Sequence, residues 1–268
     1  MNNTLVKGMA LLEALAHSER ALGVSELAAR VKIGKSNAHR LLQALTEMGY
    51  VRRVSEASTY QASIRLWELG MAMFSHLDLR TLATPAMERL LLATRETVHL
   101  SMLDNDDVVY LAKIDSPQPV RAYSQVGGRA PAYCVATGKA MLAARSDFLL
   151  KDLTTRLQRH TPRGIVDPQE FMREMARVRA QGYAENRGEW RETVCGVAAP
   201  IRDPEGEVIA ALGISGPSDR VRPSRFKAFG REVVAAAAEV EQVLAEGRRA
   251  DPAPSSPVHR PEQPCAGR

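Results

Sequence analysis

Cysteine is scarce: the 268 residues contain only Cys134, Cys195 and Cys265. Their spacing supplies neither a disulfide framework nor a metal-ligand pattern, which excludes small stapled folds and points to a reducing cytoplasm. Long apolar runs are also missing, and none approaches the roughly 20 residues that cross a bilayer. Residues 1–20 lack the basic start of a signal peptide, carry Lys7 and Glu13, and space their apolar side chains as a helix does. They read as the first helix of a folded domain. No glycine-rich phosphate loop and no metal-binding motif are present, and nothing in the sequence places a base beside Cys134 or Cys195. No cofactor, no metal, no membrane association and no enzymatic activity are therefore expected.

What is present is an ordinary globular composition, 45% hydrophobic and 25% charged, in a chain long enough for two domains. The net charge of +5 and isoelectric point near 9.3 favour an anionic partner only mildly, because the arginines are scattered. The most informative segment is residues 24–54, VSELAARVKIGKSNAHRLLQALTEMGYVRRV. It reads as two short helices joined by a tight turn and followed by a strand. Ser25 is placed to cap the first helix, with Glu26 at its positive end, and Leu27, Ala28 and Val31 form its apolar stripe. Lys32, Ile33 and Gly34 make the turn, with the glycine expected to lower backbone strain. The second helix, residues 35–48, turns Ala38, Leu41, Leu42, Leu45 and Met48 inward. Its other side opens with Ser36, Asn37 and Arg40 and continues with Gln43 and Glu47. Polar and basic groups at the leading end of a seated helix suit the DNA major groove, where Arg40 can pair with guanine and Asn37 can address adenine.

A helical pair with a solvated face has the same spacing, and the next segment separates the two readings. Residues 50–54 and 59–62 have strand character and flank the polar turn 55–58. The hairpin makes a wing, with Arg52 and Arg53 where it meets phosphate. The DNA-binding set is Ser25, Lys35, Ser36, Asn37, His39, Arg40, Arg52 and Arg53.

This winged helix-turn-helix occupies residues 1–63. A linker helix follows over 64–78, with Leu66, Leu69, Gly70, Met73 and Phe74 on one side and Trp67 nearby; it is either packed on its own protein or a dimer seam, and two-fold DNA sites favour the seam. Residues 79–249 form the second domain. A helix over 79–95 precedes strands at 98–103, 108–114 and 120–126, the first two joined by the turn Asp104-Asn-Asp-Asp107. A short helix at 136–144 and amphipathic helices at 146–157 and 167–181 come next, the last started by Asp167 and Pro168. Strands at 183–186, 194–201 and 207–215 and a long helix at 223–247 complete the pattern. Hairpin-linked strands interrupted by helices give a mixed α/β chain of the α+β kind, an antiparallel sheet with helices packed on it. The proline-rich tail, 250–268, is expected to be disordered.

With both halves in view, the chain resembles the IclR family of bacterial transcriptional regulators over its whole folded length. LAARVKIGKSNAHRLLQALTEMGYVRR is similar to the family's winged domain. VVYLAKIDSPQPVRAYSQVGGRAPAYCVATGKAML and GYAENRGEWRETVCGVAAPIRDPEGEVIAALGISGP are similar to its second domain. Gly34 stands where a proline is usual and Asn37 where a threonine is usual, changes that bear on which DNA sequence is read; residues 61–70 also lack one of the family's glycines. The resemblance implies a GAF-like effector-binding domain and homodimers or homotetramers on operator DNA. It also implies control by a small organic-acid effector; members of the family include repressors and activators, and repression is the expected direction.

One place fits such an effector. Residues 136–140, ATGKA, open a helix with small side chains, so backbone amides near Ala136 can be approached by a carboxylate, and Thr137 adds a hydroxyl donor. The resemblance carries the family's pocket onto Ala136, Thr137, Glu185, Thr193, Cys195, Gly213 and Ser215, with Tyr133 and Cys134 as neighbours. Close packing of a helix on a sheet also explains the small residues. Cys195 reads as a small buried hydrophobe, and His99 as a core or pocket histidine. Trp190 either covers the pocket or packs elsewhere, and Arg121 either meets an acid or stays on the surface. The alternatives are an effector sensor that does not bind DNA, and a thiol enzyme with Cys195 or Cys134 as nucleophile and His99 or His160 as base.

Overall fold

Apolar side chains at three- and four-residue spacing build the first unit. The computed structural model describes residues 3–54, 58–74, 79–122 and 124–250, without the side chains of 71–74 and 247–250, and it divides into two units, Met1–Asp78 and Leu79–Arg268. In the first, α1 (Asn3–Ala16), α2 (Val24–Val31) and α3 (Lys35–Glu47) gather Leu11, Leu15, Leu27, Ala38 and Leu42 into one core. Strands β1 (Leu22–Gly23), β2 (Val51–Val54) and β3 (Thr59–Ala62) form an antiparallel sheet in the order β1-β3-β2. The sheet adds Leu22, Val51 and Tyr60 to the core, and α4 (Arg65–Phe74) follows it.

Three local expectations are corrected here. Ser25 does not cap α2: Gly23 holds that position, and Ser25 is exposed in the first turn. The left-handed residue of the helix-turn-helix is Lys32 (φ 57°, ψ 48°), whose backbone N–H closes on Ala29 O while Ile33 N donates to Ala28 O. Gly34 is extended, φ −67° and ψ 144°, so its freedom is not needed for the turn. Met48 ends α3 as its C-cap and is 56% exposed. The turn residues 55–57, the linker side chains Met73 and Phe74, and the tail from 251 lie outside the described residues.

The second unit starts with α5 (Leu79–Thr94). The hairpin β4 (Thr97–Asp104) and β5 (Asp107–Ile114) follows, its two-residue turn using Asn105 at φ 56°. Then come β6 (Arg129–Pro131), a 3-10 turn (Ala132–Cys134) and the helices α6 (Ala136–Leu142), α7 (Asp147–Thr154) and α8 (Pro168–Gln181). Asp167 caps α8 by accepting from Glu170 N, as Asp-Pro chemistry predicts. Strands β7 (Ala184–Asn186), β8 (Val194–Arg202) and β9 (Val208–Pro217) precede the long helix α9 (Pro223–Ala250). All six strands of this sheet pair antiparallel in the order β6-β5-β4-β9-β8-β7.

Among the described residues of 120–126, none joins the sheet as the expected strand. Val120 O accepts from Arg220, whose guanidinium also grips the buried Glu96 at 2.7 and 2.8 Å. Among the described residues, pairing resumes at Gly127 and Gly128, which bond to Tyr110. Among the described residues no helix is long and apolar enough to cross a membrane.

Candidate functional site

The leading end of α3 carries its chemistry outward because the opposite side is consumed by the core. Lys35, Ser36, His39 and Arg40 are exposed and Asn37 is half-buried. Arg40 Nη2 reaches Asn37 Oδ1 at 3.4 Å, a contact loose enough for either group to exchange for a base edge. On the wing, Arg52 donates to Gln61 Oε1 at 2.9 Å and Arg53 to Ser58 Oγ at 2.6 Å. Both arginines are exposed, but as successive strand residues they project from opposite faces of the hairpin.

In the second unit, β4, β5, β8 and β9 floor a cavity of about 220 Å³. The first turn of α6, Ala122, residues 124–130 and residues 186–194 wall it. Gly196 lets the helix come close: a Cβ there would lie 2.7 Å from Ile214 O and 3.7 Å from the Ala136 Cβ. Val135 offers α6 no side-chain cap, so the amides of its first turn are not taken up by a capping side chain.

His99 lies on the floor, 4% exposed. Its Nε2 is 2.8 Å from Ser215 Oγ and its ring centroid 5.0 Å from that of Tyr110. Its Nδ1 is buried without a partner, as is Ser124 Oγ on the cavity wall. Burial, aided by the Lys113 charge, pushes His99 down to about 4, so the imidazole is neutral at pH 7. Arg191 also lines the cavity. Arg129 pairs with Asp104 and Asp107, but among the described residues no carboxylate pairs with Arg191. Arg191 is exposed, whereas the buried His99 Nδ1 and Ser124 Oγ are costly to leave unpaired unless water or a ligand meets them.

The expected pocket residues divide sharply. Ala136, Thr137 and Ser215 line the cavity. Glu185 and Cys195 each miss it by one position, since Asn186 and Gly196 line it instead. Glu185 pairs with Arg177 and Arg187. Cys195, between the lining Val194 and Gly196, faces the other side of the sheet. Gly213 serves packing, because a Cβ there would lie 2.5 Å from the Ala198 Cβ. Thr193 is exposed, and its carbonyl accepts from Ser218 N. Cys134 is buried behind the wall. Tyr133 is one step removed: its hydroxyl is 3.2 Å from His160 Nε2, and the His160 ring stands edge-on to Trp190 at 4.6 Å. Trp190 itself lines the cavity, whereas Arg121 pairs with Asp115. Tyr110, Asn186 and Arg191 are not singled out by the sequence; only strand register points to Tyr110 and Asn186, and Arg191 lies in the loop between β7 and β8. No cluster of three metal-ligating side chains occurs among the described residues.

Two domain descriptions match the chain: "IclR helix-turn-helix domain" over residues 4–55 and "Bacterial transcriptional regulator IclR C-terminal" over residues 71–242. The chain is 36% identical over 229 residues to the HTH-type transcriptional regulator KdgR of Escherichia coli K12, spanning 85% of this chain and 87% of that protein. It is 30% identical over 241 residues to the acetate operon repressor of Salmonella typhimurium, spanning 88% of each. A solved IclR homologue from Microbacterium hydrocarbonoxydans, complexed with 4-hydroxybenzoate, is similar with a TM-score of 0.80 and 27% identity, over 91% of this chain and 100% of that one.

Proposed function

The chain belongs to the IclR family of DNA-binding transcriptional regulators, and we propose that it represses transcription under the control of a small organic acid held in the second-unit cavity. In this reading α3 enters the major groove of the operator. Lys35, Ser36, Asn37, His39 and Arg40 face the bases and nearby phosphates, Ser25 stands at the adjacent phosphate, and Arg52 and Arg53 flank the wing. Two-fold operators require two readers, so the working species is a homodimer or a pair of them; exposed Trp67 and Leu69 on α4 support a seam there.

The observation that carries the effector assignment is a hollow in which the buried His99 Nδ1 and Ser124 Oγ lack partners, with the exposed Arg191, which pairs with no carboxylate among the described residues, at its wall. A carboxylate satisfies the guanidinium, while hydroxyl or carbonyl oxygens elsewhere on the ligand satisfy the neutral groups. Ala136, Thr137 and Ser215 complete the contact. A thiol enzyme is a weaker reading. Burial, together with the Glu189 charge, pushes Cys134 up to about 12, and burial raises Cys195 as well, which holds both sulfurs in the poorly nucleophilic thiol form.

The test is a thermal-shift screen with monocarboxylates, keto acids and sugar acids, 4-hydroxybenzoate among them. A ligand at 100 times its dissociation constant adds about 2.7 kcal/mol of stability. Arg191→Ala abolishes the shift if the assignment holds; a full shift in that variant moves the effector elsewhere.

A further inference from the structure

Directly behind the cavity wall is an ion cluster centred on a buried lysine. Lys139, on α6 two residues beyond Thr137, is 0% exposed. Its ammonium donates to Glu189 Oε1 at 2.7 Å and to Glu174 Oε1 at 3.2 Å. Arg177 bridges Glu174 to Glu185, and Arg187 also pairs with Glu185. Three cations and three carboxylates thus neutralise one another. Burial raises the Glu174 carboxyl, but the combined pull of Lys139 and Arg177 outweighs it and leaves the group below its ordinary range.

Charges are a poor way to fill a core, because apolar side chains of equal volume stabilise as well or better. What a buried ion pair supplies instead is a fixed geometry, and here that geometry has an address. Glu189 is followed immediately by Trp190 and Arg191, both on the cavity wall. The second Glu189 oxygen accepts from Arg187 N at 2.5 Å. Asn186 Oδ1 accepts from Gly188 N and Glu189 N, and Thr161 Oγ1 donates to Gly188 O at 2.7 Å. The loop is shaped locally by these bonds; among the described residues its side-chain hydrogen bond to α6 comes from the Lys139 ammonium.

We propose that Lys139 is a positioning residue for the cavity: its ion pair with Glu189 sets where Trp190 and Arg191 stand against the first turn of α6, and Glu174 ties both to α8. The proposal rests on reading this cavity as the effector site, yet its main test needs no effector. The full chain has two tryptophans, so Trp67→Phe leaves Trp190 as the sole reporter. In that background Lys139→Met and the double variant Lys139→Met/Glu189→Gln are compared with the parent. The double variant removes one cation and one carboxylate, keeps the cluster neutral and is the fold-safe partner.

Both variants are expected to keep the parent circular dichroism, shift Trp190 emission to longer wavelength and raise its quenching by acrylamide. Parent-like emission and quenching in either folded variant overturns the proposal, and failure of the double variant to fold assigns the cluster to stability alone. Titration with 4-hydroxybenzoate separates the two readings. If the parent binds it, the double variant binds about tenfold more weakly, the equivalent of one charged hydrogen bond lost; undiminished binding counts against Lys139. If the parent ignores it while Trp190 is displaced in the variants, the role of Lys139 stands and the choice of acid fails.

Discussion

His99 carries the clearest consequence at the scale of a single residue. Its folded-state value of about 4 lies below the ordinary 6.5, so the unfolded chain takes up the proton first on acidification. The stability it contributes is complete above pH 6.5 and is lost as pH falls from there through 4, a total of roughly 3 kcal/mol. Urea midpoints measured across that window are expected to fall less steeply in His99→Gln than in the parent; identical slopes would show that the imidazole is not held neutral. Arg40→Ala is expected to weaken binding to the operator far more than to random duplex, by about 1–3 kcal/mol of discrimination, and equal losses on both would remove it from base readout. The near misses in the site are also residue-scale. Strand side chains alternate with a period of two, so an offset of one residue exchanges cavity for the opposite face. The resemblance carried the pocket onto Glu185 and Cys195, whereas the residues beside them, Asn186 and Gly196, line the cavity. Outside the strands, Ala136 and Thr137 line the cavity from the start of a helix and Trp190 from a loop, whereas Tyr133, Cys134 and Thr193 do not line it.

At the scale of elements, periodicity made most of the fold legible. Helices α3, α8 and α9 and the β4–β5 and β8–β9 hairpins fall within a few residues of their expected bounds, because amphipathic spacing and Asp/Asn/Gly turns act locally. What failed was set by distant partners. The two residues of β1 have no strand pattern of their own and are fixed only by pairing with β3. Residues 120–126 have β-branched ends, yet Arg220 draws Val120 away from the sheet. Gly34 yields an element-scale prediction. Its φ of −67° matches proline and a Cβ there meets nothing within 4 Å, so Gly34→Pro is expected to stabilise the first unit by about 0.4–1 kcal/mol through the unfolded state. A lower melting temperature would mean that the turn needs the glycine after all. For the wing, single charge reversals at Arg52 and Arg53 test each face of the hairpin. At least one is expected to reduce the salt dependence of DNA binding by about one counterion, and an unchanged slope in both would free the wing from phosphate.

For the whole molecule, the proposed regulator is a linkage between two ligands. An acid in the cavity can alter operator affinity only if it binds the DNA-competent and incompetent states unequally, and the operator must then alter affinity for the acid by the same factor. Coupling of this kind usually amounts to about 1–3 kcal/mol, a change of some 5- to 150-fold. The measurement that tests it most directly is a fluorescence-anisotropy titration of a labelled duplex from the gene's own upstream region, with and without an acid that shifts the melting temperature, in the parent and in Arg191→Ala. Operator affinity is predicted to change with the acid in the parent and to stay constant in the variant. An acid response that survives intact in Arg191→Ala, or tight operator binding that no stabilising acid alters, would contradict control from this cavity.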